Sequence, residues 1–198
     1  MRRRSNRTLV QRYQRTILLM GIPLAFLAAD WLCSQRDTAA LGLGIPVPLR
    51  GEIGLAVAIV ALISVTVWPQ TKGKDNDDTR AQMKQAGMMI GTPGEFGIFL
   101  PVTVFVGCGA EILFRGFLLW AFAPFVGIAG AVVVAALAYG VGHGSVSRKQ
   151  LAGSVLSAFL FTIAYAVSGS LWWLMLIHTG LMLHGGWRGY RLARVQPP

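Results

Sequence analysis

The chain has 198 residues, of which 54% are apolar and 13% charged, with a net charge of +10. That charge density is too low for a soluble domain of this size, and the apolar residues run in long blocks rather than alternating or amphipathic patterns, which points to bilayer spans. The basic residues sit at the ends of apolar runs rather than on one face, which speaks against a nucleic-acid partner, and Cys33 and Cys108 make no disulfide framework.

Six spans are predicted in chain order, over residues 16–34, 52–69, 96–121, 126–143, 151–168 and 171–187. The first follows Arg2, Arg3, Arg4, Arg7, Arg12 and Arg15, which imitates a signal peptide. Its apolar run continues to Trp31 and Leu32 without a small-x-small cleavage site, so it reads as a retained helix. Residues 71–93 form a hydrophilic connection carrying Lys72, Lys74, Asp75, Asp77, Asp78, Arg80 and Lys84, with a short helix predicted around Arg80–Met89. Short turns at Ala123–Phe125 and Ser168–Ser170 join antiparallel neighbours. Small residues recur at helical spacing in Gly127-x3-Ala131-x3-Ala135, a pattern that lets helix backbones approach closely in lipid.

Orientation follows from the arginines and lysines. Fifteen of the 18 basic residues fall on the side of the N-terminus, leaving Arg36 and Arg50 opposite and Arg115 within a span. Both termini are therefore expected in the cytoplasm. All six tryptophans (Trp31, Trp68, Trp120, Trp172, Trp173 and Trp187) fall near span ends, where indole rings prefer the interface. The fold class is all-α: a single polytopic transmembrane domain over residues 1–198, expected in a bacterial cytoplasmic membrane.

Ionisable groups inside such spans are disfavoured by roughly 2.5–3.5 kcal/mol at a helix centre and usually face a cavity where they act. Three stand out: Glu111, His143 and His178. Arg115 lies one turn beyond Glu111 on the same face and can pair with it. Tyr139 lies one turn before His143, and His184 projects from a different face than His178. A glutamate can activate water as a general base, and two histidines can either ligate a metal or hydrogen-bond a developing oxyanion. His143 and His178 are the candidate ligands, with zinc the metal considered. The His-Glu-x-x-His spacing of soluble zinc proteases is missing, so nothing local dictates a metal.

In order along successive helices, Glu111 with Phe114-Arg115-Gly116, Tyr139 with His143, and His178 resemble the motifs of the CPBP family, the CAAX prenyl endopeptidases and bacteriocin-processing enzymes. The resemblance covers roughly residues 95–186. It implies an intramembrane endopeptidase that cleaves membrane-associated peptide or protein substrates with glutamate-activated water, with Glu111, Arg115, His143 and His178 as site residues and zinc left open. Two positions depart from the pattern. The first glutamate of the family's Glu-Glu pair, its catalytic base, is Ala110 here, and Met182 stands four after His178 where the family has asparagine or aspartate. A catalytically silent relative that binds membrane peptides or confers immunity is the alternative, and a small transporter relaying protons through the same groups is a third reading.

Overall fold

The computed structural model describes residues 2–45, 49–67, 80–81, 83, 88–142 and 148–194; for residues 2–9, 149 and 150 it describes the backbone alone. Among the described residues six long α-helices follow one another: α1 Arg2–Cys33, α2 Arg50–Val67, α3 Pro93–Ala110, α4 Leu118–Gly142, α5 Arg148–Ser168 and α6 Trp172–Arg194. A 3-10 turn, Thr38–Leu41, follows α1, and a π-helical segment, Glu111–Phe117, joins α3 to α4 without a loop. There is no strand among the described residues. The chain is an all-α, polytopic membrane protein.

Four stretches are long and apolar enough to cross a bilayer: Val10–Cys33, Arg50–Val67, Pro93–Gly142 and Leu151–Ser168. The third holds 50 residues. At 1.5 Å per residue a straight helix of that length would reach about 75 Å, more than twice the hydrocarbon thickness. The chain instead breaks at Gly127, whose φ of 68° and ψ of 170° are closed to residues with a Cβ, so α4 doubles back. The Phe114 ring meets the Tyr139 ring edge-on at 5.4 Å as a result. The turn thus falls two residues beyond the predicted Ala123–Phe125, and Pro124 is absorbed within the helix ahead of it. The last helix is not among the four apolar stretches, because His178, His184 and the Arg188–Arg194 end dilute its hydropathy.

The start of α3 is set by local chemistry. Thr92 Oγ1 accepts from the Glu95 N–H at 3.2 Å, Glu95 Oε2 accepts from the Thr92 N–H at 3.0 Å, and Pro93 occupies the first turn. This reciprocal capping box satisfies two N–H groups that the helix itself cannot. Helix α3 therefore begins three residues before its predicted position and buries Glu95. Of the short helix predicted around Arg80–Met89, residues 80, 81 and 83 are helical and Met88 and Met89 are not.

Helices α2 and α3 both pack on α6, α1 packs on α3, and α4 packs on α5. The main core joins Ala58 of α2, Ala131 and Ala135 of α4, Tyr165 of α5 and Trp173, Leu174 and Ile177 of α6. Alanine and glycine at these crossings set the close spacing that packing in lipid requires. A second cluster, Leu27, Trp31 and Leu41, holds the far end of α1 against the 3-10 turn. Two tryptophans depart from the interfacial expectation. Trp31 and Trp173 are core residues, and each spends its indole N–H inside the protein, Trp31 on the Asp37 carbonyl and Trp173 on Ser168 Oγ. Trp120, Trp172 and Trp187 are exposed, Trp172 at the first residue of α6, and Trp68 lies outside the described residues.

Candidate active site

Glu111 and Arg115 come from the π-helical segment, whose wide turn is closed by the Leu118 N–H donating to the Leu113 carbonyl five residues back. Such turns break the regular register and recur at functional sites. Glu111 and Arg115 are 1% and 0% exposed, and Arg115 Nη1 donates to Glu111 Oε1 at 3.2 Å. The same carboxylate oxygen lies 2.7 Å from Nδ1 of His178, brought in by α6. On its other edge, His178 Nε2 lies 3.4 Å from the Tyr139 hydroxyl of α4. The Arg115 guanidinium in turn stacks on the Tyr139 ring, 3.9 Å from its centre. Four side chains from three parts of the chain are thus joined in one closed set of contacts.

The Glu111 contact orients the imidazole. A carboxylate held by an arginine only accepts, so Nδ1 carries the hydrogen toward Glu111, and in the neutral imidazole Nε2 then presents its lone pair. The Tyr139 contact is too long to hold Nε2 tightly, and a closer donor displaces it readily. Three charged-group atoms, Glu111 Oε2 and Arg115 Nε and Nη2, make no hydrogen bond among the described residues. For the arginine the stack on Tyr139 occupies the face of the group instead.

His178 and Tyr139 open onto a cavity of about 600 Å³. Its walls come from α1 (Thr16, Leu19, Met20, Pro23), from α3 and the π segment (Ala110, Leu113, Phe114), and from α6 (His178, Met182). Ala110, not Glu111, is on the wall, so the carboxylate touches the cavity lining through its contact with His178. Both positions that depart from the family motifs, Ala110 and Met182, face this space and make it apolar. The size lies within the range of small-ligand and peptide pockets.

Of the residues singled out in the sequence, Glu111, Arg115 and His178 meet, and Tyr139 joins them from the second half of α4. His143 lies outside the described residues. His184 is half-buried further along α6 and takes no part in this cluster. The sequence did not assign Tyr139 to His178; its only signal was its helical spacing from His143. Among the described residues no group of three histidine, cysteine or carboxylate side chains could hold a metal ion. Of the candidate zinc ligands the described residues include His178, whose Nδ1 is taken by Glu111, while His143 lies outside them.

No curated protein and no solved structure matches the chain. A family model described as Type II CAAX prenyl endopeptidase Rce1-like matches residues 92–183, a little under half of the 198 residues, and spans all four side chains of the cluster. Over that segment the chain is similar to the Type II CAAX prenyl endopeptidase Rce1-like family, a family of proteases.

Proposed function

We propose that this chain is an intramembrane endopeptidase that hydrolyses a membrane-associated peptide in the cavity bordered by His178. The observation that carries the reading is the Glu111–His178 contact of 2.7 Å, which holds the Nδ1 edge of a cavity-lining imidazole and leaves its Nε2 edge to serve as the base. In this mechanism water in the cavity gives a proton to His178 Nε2 as its oxygen attacks the peptide carbonyl. Glu111, itself held by Arg115, stabilises the imidazolium that forms, and the Tyr139 hydroxyl donates to the oxyanion. His178 then passes the proton to the departing amine, leaving a carboxylic acid and an amine. The glutamate of the family resemblance thereby acts through the imidazole rather than on water directly, in keeping with its 1% exposure. General acid–base assistance of this kind contributes roughly 100- to 10,000-fold. The distribution of arginines and lysines supports termini on the cytoplasmic side, and a bacterial cytoplasmic membrane is the compartment we assign.

A second reading has its own support. Ala110 and Met182 line the cavity where the family carries a carboxylate and an amide or acid, so the same space suits a peptide bound without turnover, as in a silent or immunity-type relative. Reconstituted protein and a membrane-anchored fluorogenic peptide separate the two. The protease reading expects cleavage that His178→Ala lowers at least about 100-fold while helicity and monodispersity are kept. An inert wild-type protein that binds the peptide, and gains turnover on Ala110→Glu with Met182→Asn, would establish the second reading instead.

A further inference from the structure

The wall that α1 contributes to the cavity does not stop at its apolar part. Thr16, Leu19, Met20 and Pro23 line the space and recur at helical spacing. One turn earlier stand Arg12, four before Thr16, and Arg15, four before Leu19. At 3.6 residues per turn Arg12 falls within the cavity stripe and Arg15 about 40° outside it, within reach of a long side chain, while Gln14, Ile17 and Leu18 point elsewhere. Both arginines are exposed, and neither has an ion-pair partner among the described residues. The neighbouring face of α1 is used differently. Tyr13 meets Phe99, Gly21 faces Phe105 and Leu24 lies against Gly109, so that face docks on α3 and leaves the arginine stripe beside the contact.

We propose that this stripe is a substrate-recognition surface that selects membrane-anchored peptides whose apolar stretch is followed by acidic residues. The inference rests on the protease reading for its substrate, but it concerns α1, which lies outside the matched segment 92–183. From Thr16 to Pro23 the wall is about 10 Å long, room for about three residues of extended peptide. Arg12 lies about 6 Å further, so the acidic side chains belong about two positions beyond the apolar residues in the cavity. Headgroup binding alone needs no particular helix face, whereas recognition of a cavity occupant requires the alignment seen here.

Three dansyl peptides that share one leucine-alanine stretch and end in Asp-Glu-Asp, Gln-Gln-Gln or Lys-Arg-Lys test it, with the full chain in neutral phosphatidylcholine nanodiscs. Binding is read by fluorescence anisotropy and cleavage by product formation. The acidic peptide is expected to bind about five- to tenfold more tightly than the neutral one in 0.1 M salt, with the preference lost at 1 M. Arg12→Glu with Arg15→Glu is expected to reverse the order, favouring the basic peptide, while the neutral peptide binds unchanged. Equal binding of the three peptides overturns the proposal, as does a double variant that changes only the phosphatidylglycerol retained by the purified protein. Cleavage of no peptide, with charge preference intact in binding, would count against the protease reading and leave the recognition surface standing.

Discussion

Separating Glu111 from Arg115 tests the centre of the structure. Their side chains are 2% and 1% exposed with N and O 3.2 Å apart. At that distance and an effective dielectric of about 20, their attraction is about 5 kcal/mol, much of which offsets the cost of bringing both charges out of water. Deleting one partner leaves the other charge buried, which costs about 3–5 kcal/mol. Arg115→Met is expected at about 3 kcal/mol, because Glu111 keeps the His178 N–H as a donor. Glu111→Leu is expected nearer 5 kcal/mol, since among the described residues no other carboxylate contacts the guanidinium. The double variant replaces a buried pair by apolar side chains of similar size and is expected within about 1 kcal/mol of wild type. Equilibrium unfolding in mixed micelles, followed by tryptophan fluorescence, measures all four proteins. The coupling energy should exceed about 2 kcal/mol. Strictly additive losses, or single variants as stable as wild type, would refute the pairing on which the site is built. Cleavage should not return in the stable double variant, because the imidazole no longer has its carboxylate.

Tyr139→Phe keeps the stack on Arg115 and removes the hydroxyl; kcat should fall about 100-fold with KM unchanged, and an undiminished kcat would exclude the hydroxyl from the oxyanion. Thr92→Ala removes one half of the capping box and should lower unfolding stability by about 1 kcal/mol without altering kcat. Gly107 faces Thr179 so closely that a side chain would overlap its hydroxyl, so Gly107→Val should push α3 from α6 and cost about 1–3 kcal/mol in the same unfolding measurement. Under the His178 general-base mechanism a chelator should leave peptide cleavage unchanged, and stoichiometric zinc that is lost on His143→Ala would refute that mechanism in favour of a metal site.

What could be read before the coordinates was the chemistry that hydrocarbon forbids. Glu111, Arg115 and His178 stand out because each breaks an apolar run, and they meet across the π segment and α6. The π turn was not legible, since one extra residue per turn leaves no mark in a stretch that is apolar on every side. Its effect is decisive for the site, with Ala110 on the cavity wall and Glu111 behind it. The start of α3 was legible and missed: Thr92, Pro93 and Glu95 spell a capping box that hydropathy alone passes over. The reversal came at Gly127 rather than over Ala123–Phe125 because a positive φ, not proline, is what the turn demands. Trp31 and Trp173 show that indoles near span ends go inside when a carbonyl or hydroxyl there can take the N–H.

The distance along the chain between Glu111 and His178 has a consequence for biogenesis. The two are 67 residues apart, so the ribosome delivers the carboxylate about 3–13 s before the imidazole exists. During that interval the growing chain must hand an acidic group to the translocon with no partner from α6. The guanidinium four residues later closes that gap at once, within the same nascent helix, as a neutral package fit for lateral release into lipid. Arg115 therefore serves first as a chaperone in cis for its own carboxylate and only afterwards as part of the finished molecule.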